Sequence, residues 1–153
     1  MLVKESVMGA WGEESCSNDS CWDALCFGGI EEIHEITQEE VKPCLDKLDT
    51  EKTSYGAFYG ESEDFLGCVI WILRQGLVVE VKYIEKAKAV AEKCLTDEES
   101  LSRWCSKTAR LEHLNKEIRE MQSAIENDGQ GIKEHIPSLF EKLGGCLGAS
   151  DNA

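Results

Sequence analysis

The chain has 153 residues, 42% of them hydrophobic and 30% charged, and carries a formal net charge of −14 at pH 7. That composition speaks against a disordered or membrane chain, and the length suits one domain with a hydrophobic core of its own. The negative balance disfavours direct binding of nucleic acid, which needs Lys and Arg to displace phosphate counterions.

Met1 to Val7 holds a charge of each sign and none of the apolar core that a secretory signal needs, so it does not read as one, and a cytoplasmic location follows by default. Gly9, Trp11 and Gly12 follow, an aromatic anchor flanked by glycines free to take unusual backbone angles. Asn18 or Asp19 then caps a helix predicted from about Ser20 to Cys26. Asp19 and Asp23 lie near its positive end, and Trp22, Leu25 and Cys26 share one side. Gly28-Gly29 supplies a break. Ile30 to Ile36 fits a short helical turn or an extended segment, too short for periodicity to choose.

Thr37 to Glu40 is a capping box opening a helix of about Gln38 to Leu48, in which Pro43 predicts a kink or a start near residue 42. The loop from Asp49 to Glu61 carries Tyr55, Phe58 and Tyr59, rings that either pack down on the domain or face a partner. Ser62 caps the next helix, and Phe65 to Leu73 leaves almost no polar face, the pattern of a buried helix. This stretch, about 62 to 76 and stopped by Gly76, is the expected centre of the fold.

A second long helix is predicted from Leu77 to Leu95, with Ile84, Ala87, Ala91, Cys94 and Leu95 on one face, and Thr96 is placed as the cap of a further one. Leu111, Leu114, Ile118, Met121 and Ile125 form a seam of two heptads, the length of an intramolecular helix hairpin. Asn127 to Gly131 is a turn. A last helix is predicted over about Ile132 to Leu143, and residues 146 to 153 read as a flexible tail. The expected fold is therefore all-α, a single domain over residues 1 to 145 built as a compact bundle of about five to seven helices.

Eight cysteines stand at 16, 21, 26, 44, 68, 94, 105 and 146 with no Cys-x-x-Cys pair, which speaks against a zinc finger or ribbon. In a reducing compartment they are expected to be free thiols serving as small buried hydrophobes, and metal binding is left open. The acidity is unevenly placed. Residues 1 to 65 hold 16 acidic and 4 basic side chains, a balance of −12 out of −14. Such a field either attracts a partner with a basic surface or serves solubility alone.

Met8-Gly9-Ala10-Trp11-Gly12, followed by Asn18-Asp19 and Asp23, resembles the opening of the bacterial proteins of domain-of-unknown-function family 4259. Asp64 to Gly76 is similar to that family's apolar helix, and Asp97 to Trp104 to its acidic helix start followed by tryptophan. Most of residues 8 to about 125 is covered; the cysteines and Ile132 to Ala153 depart from the family. Its proteins begin at the Met-Gly-Ala-Trp-Gly, which implies that Met1 to Val7 is an N-terminal extension or that Met8 is the natural start. The resemblance implies a mostly helical domain with Gly9, Trp11, Gly12, Asn18, Asp19, Asp23 and Trp104 as its structural motif, and it implies no activity.

Asp19 and Asp23, one helical turn apart, have two readings: cap and dipole partners of the first helix, or carboxylates offered to a cation or a partner's basic side chain. Two carboxylates and an amide are too few for a calcium cage. His34, His113 and His135 sit in no catalytic motif, and Gly-x-Ser-x-Gly, a phosphate-binding loop and His-Glu-x-x-His do not occur. The leading expectation is a small acidic protein that binds a basic protein surface, as an immunity protein, a counter-defence factor or a nucleic-acid-mimicking inhibitor does. It would use Asp19, Asp23, Glu31, Glu32, Glu35, Glu39 and Glu40, as a monomer or small homo-oligomer, with no cofactor and no membrane. The alternative is a metal-dependent or thiol-based enzyme using Asp19, Asp23 and the clustered cysteines.

Overall fold

The computed structural model describes residues 15–16, 19–30, 36–52 and 58–131, apart from the side chains of residues 19 and 20. These residues form six α-helices and no strand, as the all-α expectation requires. In chain order they are α1 (Asp19–Phe27), α2 (Gln38–Thr50), α3 (Glu63–Arg74), α4 (Val81–Cys94), α5 (Glu98–Ser102) and α6 (Lys107–Glu126), with one 3-10 turn, η1 (Tyr59–Glu61), ahead of α3. None of these helices is long and apolar enough to cross a membrane. The extension 1–7, the helix predicted at 132–143 and the tail 146–153 lie outside the described residues.

Helix α3 is the enclosed one. The Ser62 hydroxyl accepts from the Phe65 N–H at 3.2 Å, Glu63 and Asp64 occupy the first turn, and Phe65 through Ile70 and Ile72 through Arg74 are buried. It packs between α1 and α4, and α4 in turn packs on α6. Helix α1 turns Cys21, Ala24 and Leu25 inward, and Trp22 meets Trp71 of α3 at 5.8 Å between ring centroids. Cys26, expected on that inner side, is exposed: it stands about 100° round the helix from Leu25.

Helix α2 begins at Gln38, as the capping box predicts, and runs on through Pro43, so the alternative start near residue 42 is not taken. Its capping box is made, with the Thr37 N–H donating to Glu40 Oε1 at 2.9 Å, and the bond that Pro43 cannot donate falls at the carbonyl of exposed Glu39. Helix α4 begins at Val81, not Leu77. A lone extended segment would lack partners, yet Leu77 to Glu80 has them. The Gln38 side-chain amide takes the place of a neighbouring strand, donating to the Val78 carbonyl and accepting from the Val78 N–H, both at 2.8 Å. The Val79 N–H donates to the Gly129 carbonyl at 3.0 Å.

Further along, the cap of α5 is Asp97, whose Oδ1 accepts from the Ser100 N–H at 3.2 Å; the expected cap, Thr96, donates its hydroxyl back to Lys93 O instead. Ser106 caps α6, accepting from the Ala109 N–H at 3.1 Å. The buried row of α6 is shifted by one residue from the predicted seam. Leu114 and Met121 are buried as expected, but Leu111, Ile118 and Ile125 are half-buried, and Arg110, Glu117 and Ala124 take the inner positions.

Candidate functional site

Of the residues singled out in the sequence, Gly9, Trp11, Gly12, Asn18, Glu31, Glu32 and Glu35 lie outside the described residues, as does the side chain of Asp19, whose backbone opens α1. Asp23 is exposed on α1 and Glu39 on α2, while Glu40 is half-buried and engaged in the capping box. Asp23 and Glu40 are therefore in different situations: one carboxylate faces outward, the other closes its own helix end. Trp104 is half-buried beneath an arginine, with the Arg110 guanidinium carbon 3.9 Å from its ring centroid.

That contact belongs to a buried polar network between α3 and α6. Glu117 accepts the Ser15 N–H at 2.9 Å on one carboxylate oxygen and the Ser15 hydroxyl at 2.5 Å on the other. Arg110, fully buried, donates to the same Ser15 hydroxyl at 3.0 Å. Arg74, at the end of α3, pairs with Glu120 at 2.8 Å. At the other end of α3, Glu63 accepts from Ser100 and Arg103, each at 2.7 Å, and has Arg110 at 3.6 Å. Burial pushes the Glu117 carboxyl up, and the bonds from Ser15 and the nearby Arg110 and Arg74 pull it partly back. Buried charge persists in a core only when it is paired and hydrogen-bonded, and each arginine here has its carboxylate. These contacts tie α3 and α6 to each other and to the Ser15 segment ahead of α1.

This network escaped the sequence reading because its members come from four separate parts of the chain. One signal was present: Arg110 and Glu117 are seven residues apart, hence on one face, and carry opposite charges beside an apolar seam.

The thiols sort by burial. Cys21, Cys44 and Cys68 meet where α1, α2 and α3 join, with the Cys68 Sγ 3.6 Å from the Cys21 carbonyl oxygen. Burial pushes the Cys44 thiol up to about 12 and the Cys94 thiol up to about 11, and holds Cys68 well above its usual range. Burial thus favours the neutral thiol in all three, the opposite of what a nucleophilic thiolate needs. Cys26 and Cys105 are exposed and Cys16 is half-buried. Among the described residues no group of three or more His, Cys, Asp or Glu side chains is placed to hold a metal ion.

The outer surface at the junction of α1, η1 and α3 is of a different kind. Phe27, the last residue of α1, is 41% exposed and stacks on Tyr59 at 5.8 Å with 26° between the rings. Asp23 stands one turn before it. Asp64, half-buried in the first turn of α3, is pushed up to about 6 by burial and by its neighbours Glu63 and Asp23. Phe58, 45% exposed, lies in the loop just ahead of Tyr59. Aromatic side chains in the Asp49 to Glu61 loop had two readings, and these two divide between them: Tyr59 packs down, Phe58 faces out, and Tyr55 lies outside the described residues.

A half-open cleft of about 300 Å³ lies between α2 and α4, lined by Val41, Leu45, Val79 and Tyr83 with Lys42 and Glu80 at its rim. Tyr83 donates its hydroxyl to Asp46 of α2 beside this cleft. Comparison of the chain with family models, curated proteins and solved structures finds no match.

Proposed function

We propose that this protein is a small acidic binding protein whose partner presents a basic surface, in the manner of an immunity protein, an antitoxin-like inhibitor or a counter-defence factor of bacterial or phage origin. The observation that carries the reading is the confinement of charge, 16 acidic against 4 basic side chains in residues 1 to 65. The exposed Asp23 and the uncompensated setting of Asp64 support it, since a carboxylate held among other carboxylates is relieved by a cation from outside. A partner that ordinarily holds nucleic acid fits the same charge pattern. Cytoplasmic location, reduced cysteines, and a monomeric or small homo-oligomeric state belong to the same proposal. So does membership of family 4259, on the Gly9 to Asp23 motif.

The experiment is complex formation as a function of salt. Capture on the immobilised protein, followed by affinity measurement on the captured partner, is expected to show binding that weakens steeply from about 0.05 to about 0.5 M salt. Affinity indifferent to salt would sink the electrostatic basis of the proposal.

A further inference from the structure

We infer that Asp23 and Phe27 of α1, Tyr59 of η1 and Asp64 of α3 form the surface that receives an arginine side chain of the partner, an inference that rests on the protein-binding reading above. Residues 23 and 27 are four apart on one helix, so carboxylate and ring project from the same row. Phe27 is one of three large hydrophobic side chains left exposed among the described residues, and its stacking on Tyr59 holds the ring in place.

The faces of these exposed rings already hold cations supplied by the chain itself. Lys47 Nζ sits 4.5 Å from the Phe27 centroid, and Lys52 Nζ sits 5.3 Å from that of Phe58. An ammonium at each ring shows that the position accepts a positive group, and the flexible lysine stem at Phe27 can give way to a better ligand. In the first turn of α3, Glu63 has Arg103 and Ser100, whereas the groups acting on Asp64 are two more carboxylates, Glu63 and Asp23.

Arginine is the side chain that answers both features. Its guanidinium plane stacks on an aromatic face while its edge donates two parallel hydrogen bonds to a carboxylate. A lysine ammonium offers a point charge that satisfies either the ring or the carboxylate with less geometric fit. The surface therefore discriminates between the two basic residues, which charge alone would not do.

The test uses the full chain with oligo-arginine and oligo-lysine peptides of equal length, measured by fluorescence anisotropy at low salt. The arginine peptide is expected to bind the wild type about fivefold or more tightly than the lysine peptide. Phe27→Ala and Asp64→Asn are each expected to weaken arginine-peptide binding by about five- to tenfold and to erase the preference. Glu99→Gln and Glu112→Gln, exposed charges on α5 and α6, serve as charge-matched controls and should change affinity less than about twofold. Phe27→Leu keeps an apolar side chain without the ring, so its loss of preference separates stacking from any disturbance of α1. Equal affinity for both peptides, or losses at Phe27 and Asp64 no larger than in the controls, overturns the arginine surface while leaving the acidic-binding reading intact. A wild type that binds neither peptide at low salt overturns that reading itself.

Discussion

The carboxylate of Glu117 accepts both the backbone N–H and the hydroxyl of Ser15, a residue 102 positions earlier in the chain. The same stretch of backbone lies across α3 at Gly67, where a Cβ would collide with the Ser15 carbonyl oxygen and press on the Cys21 sulfur. The entry to α1 is thus held between two helices, by a hydrogen-bonded carboxylate on one and a missing side chain on the other. Arg110, stacked on Trp104 and bonded to the Ser15 hydroxyl, ties this point to the start of α6.

Glu117→Ala removes the acceptor of both Ser15 donors, while Arg110 keeps Glu63. Leaving a buried donor unsatisfied costs about 1 to 3 kcal/mol. Glu117→Gln retains one carbonyl acceptor for Ser15, and its cost is expected to be distinctly smaller. Urea denaturation of the two variants checks the order; equal costs would show that charge, not hydrogen bonding to Ser15, dominates at this site.

Asp64 is expected to titrate near 6 in the folded protein, because burial, Glu63 and Asp23 all favour its protonated form. Its folded value lies above the ordinary aspartate value of about 3.9. Between these two pH values the folded state keeps a proton that the unfolded chain has released, so stability from this group is present below the window and falls as pH rises through it. Asp64→Asn removes that slope, and Asp23→Asn lowers the Asp64 midpoint. Carboxyl NMR titration reads the midpoint directly, and a value near 4 in the wild type contradicts the assignment.

Gly29 and Gly129 both have positive φ, +103° and +87°, but their surroundings differ. A Cβ on Gly29 meets open space, whereas one on Gly129 strikes the carbonyl oxygen of Val79, in the segment that Gly129 itself holds by hydrogen bonding. Gly29→Ala is expected to cost about 1 to 2 kcal/mol from backbone conformation alone. Gly129→Ala should exceed it by about 1 to 3 kcal/mol, the range for overpacking. Thermal denaturation of the pair decides, and comparable losses would mean that the Val79 contact relaxes freely.

Brief treatment of the folded protein with iodoacetamide at neutral pH is expected to alkylate exposed Cys26 and Cys105 and to spare Cys44, Cys68 and Cys94. The protected thiols are both out of reach and held protonated, and the reaction needs the thiolate. Peptide mass spectrometry before and after denaturation gives the pattern. Early labelling of Cys44 or Cys68 would show that the junction of α1, α2 and α3 opens readily.

Much of the helical plan was legible. Thr37 with Glu40, Ser62, and the glycines at 76 and 129 announce themselves because caps and turns are made within a few residues of each other. The errors share a different origin. Val78 is extended because of Gln38, forty residues away, and Thr96 yields its capping role to Asp97 because the chain leaves α4 with Thr96 still bonded to Lys93. For the candidate surface, Asp23 was visible as a carboxylate near a helix start. Phe27 was not singled out, because nothing local distinguishes an exposed phenylalanine from a buried one.

What the sequence by itself determined is what short-range physics controls: the all-α class, the apolar wall of α3, the caps of α2 and α3, and the concentration of acid ahead of residue 66. The tertiary structure alone decided which residues of α6 face inward, and it chose Arg110 and Glu117 over Leu111 and Ile118. A helix can bury charge only if partners arrive from elsewhere, and Ser15, Glu63, Arg74 and Trp104 reach that interface from positions that no local pattern connects.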